Sequence, residues 1–158
     1  MCGATTPDEP PNLPMNEGFV LDTNVLAELE RRDPSANVVA WFELQQADCL
    51  FLSATVVAEL WYGVELKPEG ARRTRLTRWL EELLADGFAE RILPFDAAAA
   101  RVWGRLMAES RRAGRLPAVR DAEIASVALA RGLTVVTRNV RDLEAFGVPW
   151  LDPWRNLP

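Results

Sequence analysis

The sequence predicts an α/β fold, with a mainly parallel sheet covered by helices on both faces. Two patterns predict it. Short apolar runs at 19–21, 50–53, 92–95, 133–137 and 149–151 have the length of buried strands. Helical periodicity fills the intervals between them, and strands that alternate with helices pair in parallel through crossover connections. The length, 158 residues, suits one such unit with one core.

The elements follow in order. The first strand, 19–21, closes on Asp22-Thr23-Asn24 and leads into helices over 24–31 and 36–46, divided by Asp33-Pro34. The second, 50–53, leads into helices over 55–66 and 71–86, divided by Lys67-Pro68. The third, 92–95, is followed by helices over 97–113 and 118–131, with Ala113-Gly114 and Arg131-Gly132 as breakers. The fourth, 133–137, ends at Thr137-Arg138-Asn139, with Asp142 close behind and a short helix over 140–146. The fifth is 149–151. Residues 1–14, rich in proline and acidic side chains and without periodicity, are expected to form a loose tail, leaving 15–158 as a single domain.

Composition narrows the chemistry. There is no histidine, which removes histidine-based triads, acid–base pairs and zinc sites together. An enzyme with this sequence must work through carboxylates, hydroxyls, arginines or a metal. Cys2 and Cys49 show no metal-ligand spacing, so no disulfide framework is expected and a reducing cytoplasm fits. No apolar run approaches the length of about 18 residues that suggests a membrane span. The net charge of −5 does not advertise nucleic-acid binding. The cations are arginines apart from Lys67. Arg72-Arg73-Arg75-Arg78 and Arg111-Arg112-Arg115-Arg120 suit solvated helix faces, and alternatively RNA phosphates. The six tryptophans suit core or interface positions better than base stacking.

In open α/β sheets the ligand site lies beyond the carboxyl ends of the strands, where strand order reverses. Asp22 stands at such an end and suits either a helix N-cap or a metal ligand. Asp121 falls inside the apolar face formed by Ala118, Ala122, Ile124, Ala125, Ala128 and Leu129. A carboxylate turned inward costs several kcal/mol unless it is paired or bound to a cation, so a buried ion pair, a cap and a metal ligand all remain open. Glu59 lies on the flank of its helix with Thr55 and Tyr62, Glu123 suits the surface, and Asp96 suits an N-cap. Asn139 and Asp142 are ambiguous alone.

Taken together, four motifs form an ordered series: Leu21-Asp22-Thr23-Asn24, Ser53-Ala54-Thr55-Val56-Val57-Ala58-Glu59-Leu60, Asp121-Ala122-Glu123-Ile124-Ala125 and Thr137-Arg138-Asn139. Each is weak alone. In this order, each at a strand or helix end, they resemble PIN domains, and among them the VapC and FitB-like toxins of bacterial toxin–antitoxin pairs. The resemblance runs from about Met15 to Trp154, through the closing Asp152-Pro153-Trp154. It implies a three-layer α/β/α sandwich with a five-stranded sheet ordered 3-2-1-4-5. It also implies a Mg²⁺- or Mn²⁺-dependent endoribonuclease with Asp22, Glu59 and Asp121 as catalytic carboxylates and metal ligands. The family's fourth acidic position falls on Asn139, a departure that Asp142 is placed to offset as a further ligand. Thr23, Asn24 and above all Thr137 are the implied supporting partners behind the ligands, and Arg72, Arg73, Arg111, Arg112 and Arg138 are candidates for contact with RNA. The chemistry suits the residue types: crowded carboxylates need a cation to remain charged, and hard divalent ions prefer oxygen ligands. Such an ion supplies an activated water and stabilises charge on the scissile phosphate. The expected products are a 3′-hydroxyl and a 5′-phosphate. The resemblance further implies a homodimer and a cognate antitoxin protein, through which alone DNA would be bound.

Two other classes compete. A PIN-like module that binds partners without cleaving RNA is suggested by Asn139 and opposed by the three retained acids. A phosphotransfer enzyme on a similar sheet is opposed by Asn24, which stands where a phosphatase of that type carries a second Asp, and by Lys67, which is misplaced for a receiver domain.

Overall fold

The structure, a computed structural model, describes residues 18–155; the expected tail over 1–14 lies outside them. Apolar runs form five parallel strands: β1 (Phe19–Leu21), β2 (Leu50–Ser53), β3 (Ile92–Leu93), β4 (Thr134–Val136) and β5 (Trp150–Leu151). Their spatial order is β3-β2-β1-β4-β5, the order the resemblance implies. The register pairs Phe19 with Leu50 on one side and Leu21 with Val136 on the other. β1 and β4 therefore run side by side at the point where the order reverses, and their carboxyl ends finish level.

Helices complete the outer layers: α1 (Thr23–Glu30), α2 (Ala36–Glu43), α3 (Ala54–Glu65), α4 (Ala71–Glu82), α5 (Ala97–Arg112), α6 (Val119–Arg131) and α7 (Arg141–Phe146). Residues at or just beyond the strand ends also cap helices. Asp22 accepts a hydrogen bond from the Thr23 N–H, Ser53 from that of Val56, and Asp96 from that of Ala99. This last bond, with Arg131 beside it, holds the Asp96 carboxyl below its ordinary range. At the other ends of α6 and α7, Gly132 and Gly147 adopt φ of 64° and 66°, the left-handed conformation that closes a helix without Cβ strain.

The core lies between the sheet and its helices. Val20, Leu21, Leu52, Val135 and Val136 from the strands meet Val25, Val56, Leu80, Ala122 and Ala125 from the helices. Trp41 is fully buried, edge-on to Phe19 at 5.3 Å between centroids.

Three expectations need correction. The third strand stops at Leu93, because Pro94 has no N–H with which to continue the ladder. The helix expected over 71–86 gives way at Leu83 to a π-turn over Leu83–Gly87, in which the Phe88 N–H reaches back to the Leu83 carbonyl. Cys49, immediately before β2 and largely buried, is disulfide-bonded, against the expectation from cysteine spacing. Spacing could not show this, because pairing depends on proximity in space; Cys2 lies outside the described residues.

Candidate active site

Because β1 and β4 end level, Asp22 and Thr137 come face to face. The Asp22 N–H donates to the Val136 carbonyl at 2.9 Å, so the last ladder bond fixes the backbone from which the carboxylate projects. The fully buried Thr137 hydroxyl donates to Asp22 Oδ2 at 2.7 Å. The same Oγ1 accepts from Asn24 Nδ2 and from the Asn139 backbone N–H, each at 3.0 Å. Asn24 Nδ2 also approaches Asp22 Oδ2, at 3.3 Å. A hydroxyl that gives its one proton to Asp22 and accepts two others has no rotational freedom left, and Asp22 is held in one orientation.

Asp121 enters from the first turn of α6 and Asp142 from the first turn of α7. Asp121 is half-buried, hydrogen-bonded to Asp142 and close to Asp22. Its pKa is raised to about 6, first by burial, then by the Asp22 charge and by the hydrogen bond and charge of Asp142. Three carboxyl groups from three elements therefore act on one another at the switch point, and one of them retains its proton well above the ordinary carboxylate range.

Glu59 comes from the middle of α3, with its side chain 10% exposed. The Thr23 hydroxyl donates to Oε2, and Arg120 forms an ion pair with Oε1. Glu59 thus touches the cluster through Thr23, the neighbour of Asp22, while its charge is taken up by Arg120. It also lines a groove of about 530 Å³ between α3 and α6, together with Ala54, Ala58, Tyr62, Phe95 and Arg120. Glu123, expected at the surface, accepts instead from the Thr55 hydroxyl at 3.0 Å and ties α6 to α3.

The remaining candidates divide. Asn139 contributes its backbone N–H, and its side chain is exposed. Arg138 is exposed at the rim, its guanidinium 5.4 Å from the centre of the Trp154 ring. Arg73 pairs with Glu65. Arg72 is an exposed member of α4, and Arg111 and Arg112 occupy the last turn of α5. None of these four is bonded to the carboxylate cluster. Arg120, in contrast, which the sequence suited to a solvated helix face or to RNA phosphates, reaches Glu59.

The donor set suits a hard divalent cation. All the available ligand atoms are oxygens, and a bound cation would offset the burial and the carboxylate repulsion that together raise the Asp121 pKa. Among the described residues, no three acidic side chains form a ready-made ligand group; Glu59 is engaged with Thr23 and Arg120 instead.

Known proteins resemble this chain in sequence and in fold. A family model described as the PIN domain matches residues 19–147. The plasmid stability protein StbB of Pseudomonas syringae pv. tomato is 43% identical over 136 residues, which is 86% of this chain and 98% of that protein. The VapC ribonuclease Y4jK of Sinorhizobium fredii is 41% identical over 86% of this chain and 97% of its own length. Among solved structures, that of FitAB bound to an IR36 DNA fragment superimposes with a TM-score of 0.82 at 34% identity, covering 87% of this chain and 96% of that one. With the family model matched across residues 19–147 and relatives similar over nearly their full length, the chain belongs to the PIN domain family.

Proposed function

We propose that the protein is a metal-dependent endoribonuclease, the toxin of a toxin–antitoxin pair. The observation that carries this reading is the Asp22–Asp121–Asp142 cluster at the carboxyl ends of β1 and β4, in which burial and the neighbouring carboxyl groups raise the Asp121 pKa to about 6. Similarity to a relative named as a ribonuclease supports the activity, and similarity to the FitAB complex supports the partner.

In this reading Asp22, Asp121 and Asp142 hold Mg²⁺ or Mn²⁺, with Glu59 as the ligand from the opposite wall and Asn139 beside them. The bound ion supplies an activated water and stabilises the charge that develops on the phosphate. The protein's own groups do the positioning. Thr137 and Asn24 fix the Asp22 carboxylate, and Thr23 tethers Glu59. Below about pH 6 Asp121 would have to lose its proton in order to hold the cation. Arg138, exposed at the rim, is placed to meet an RNA phosphate, as the more distant Arg72, Arg73, Arg111 and Arg112 would along a longer substrate. The products are a 3′-hydroxyl and a 5′-phosphate.

The same reading takes residues 15–158 as one catalytic domain that forms a homodimer and binds a cognate antitoxin, with DNA contacted through that partner. It places the protein in the cytoplasm, where its RNA substrates are. No helix among the described residues is long and apolar enough to cross a membrane.

The test is cleavage of labelled structured RNA in Mg²⁺ or Mn²⁺, with EDTA controls, beside Asp22→Asn and Asp121→Asn. Metal-dependent cleavage lost in both folded variants is the expected result. A binding-only scaffold is the second reading, favoured by Asn139 and by the ion pair that occupies Glu59. A folded protein that neither cleaves RNA nor binds Mn²⁺ would establish the scaffold instead.

A further inference from the structure

Arg120 stands in the first turn of α6, one residue before Asp121, with its side chain 63% exposed. Its guanidinium pairs with Glu59 Oε1, while Glu59 Oε2 accepts from Thr23. Each oxygen of that carboxylate is therefore engaged, and the carboxylate itself is nearly closed off from solvent. Among the described residues, the only full positive charge bonded to Glu59 comes from Arg120. A divalent ion that used Glu59 would have to share it with this guanidinium, and two cations on one carboxylate repel strongly where water is scarce. The exposure is one-sided. Glu59 is fixed by Thr23 and by its helix, whereas Arg120 can leave toward solvent without being desolvated. Pairs of this kind are weak, so the contact is suited to exchange.

From this geometry we infer that Arg120 is an internal counter-ion that competes with the divalent ion for Glu59, so that metal binding exchanges one cation for the other. The inference rests on the metal reading above and assigns to Arg120 a role in setting metal affinity. In the metal-free protein Arg120 neutralises Glu59 and steadies a site crowded with like charges. When the ion binds, the Glu59 carboxylate turns toward it and the guanidinium is released at the mouth of the groove beside Tyr62 and Phe95.

The experiment is calorimetric titration of Mn²⁺ into the full chain at fixed ionic strength and pH, with circular dichroism to confirm folding. Wild type, Arg120→Gln, Glu59→Gln and the double variant form a cycle; Arg120→Lys is a fifth protein that keeps the charge. Gln at position 59 still offers a carbonyl oxygen to Thr23, so its fold should be retained. Arg120→Gln is expected to tighten Mn²⁺ binding about two- to five-fold, the range set by the weakness of exposed ion pairs. The gain should vanish in the Glu59→Gln background, and Arg120→Lys should stay near wild type. Unchanged or weaker binding by Arg120→Gln would overturn the inference alone. An equal gain in both backgrounds would also overturn it, since the effect would then be the general field of one charge. If none of the proteins binds Mn²⁺, the metal reading falls and this inference with it.

Discussion

Replacing Asp121 with Asn should abolish cleavage and, in the same protein, raise the stability of the metal-free fold. In the folded chain the Asp121 carboxyl titrates at about 6, against an ordinary 3.8. Below about pH 4 the group is protonated whether the chain is folded or unfolded, and it costs nothing. As the pH rises toward 6, the unfolded chain releases this proton before the folded one does, and stability falls. Above 6 the penalty is complete. Discounted for solvent screening, because Asp121 is only half-buried, the difference is worth on the order of 1 kcal/mol. Asn is neutral at every pH, fills the same space and can donate to Asp142. For a domain of this size that energy corresponds to a rise in melting temperature of about 2–4 °C. The assay is differential scanning calorimetry in EDTA at about pH 8 and again at about pH 4. Asp121→Asn should melt higher than wild type at the upper pH, and the gap should close at the lower one. Equal or lower melting at the upper pH would refute the view that like charges strain this site.

Three further outcomes are expected. Thr137→Val removes the donor to Asp22 and the acceptor for Asn24 and Asn139; it should cost about 1–3 kcal/mol in chemical denaturation and slow cleavage, with Thr137→Ser restoring both. Gly147→Ala should cost about 1 kcal/mol in a thermal melt, through backbone conformation alone, because φ is 66° and nothing lies within 4 Å of the added carbon. Mn²⁺ affinity, followed by titration calorimetry, should fall as the pH drops below about 6, where Asp121 is protonated and the proton competes with the ion.

Much of this was legible in the sequence, for physical reasons. Apolar runs bounded by turn residues mark parallel strands, because strands covered on both faces need no polar alternation. Asp22 and Thr137 were legible as strand ends, and Asp121 as an acid on an apolar face. Their meeting at one switch point follows from strand order, which the family resemblance implied. Among the misses, two kinds concern the helices. The π-turn over Leu83–Gly87 escaped because its period differs too little from that of an α-helix over five residues. The Arg120–Glu59 and Thr55–Glu123 contacts escaped because each joins helices distant in sequence. Helical spacing tells which way a residue points on its own helix, and not how far a long side chain reaches toward another. Asp142, ambiguous as one acid in a loop, gains its meaning from its hydrogen bond to Asp121.

The outermost strands of the sheet, β3 and β5, are two residues long each. An edge that short offers an incoming chain almost no ladder of free N–H and carbonyl groups on which to add a further strand. Recognition by strand addition is therefore poorly templated at both flanks, and so is the edge-to-edge stacking by which exposed sheets aggregate. A protein that docks on this fold is directed to the helical faces and the groove between them. On complex formation, the newly slowed amide exchange should fall on helices α3 and α6 and leave both margins of the sheet as they were.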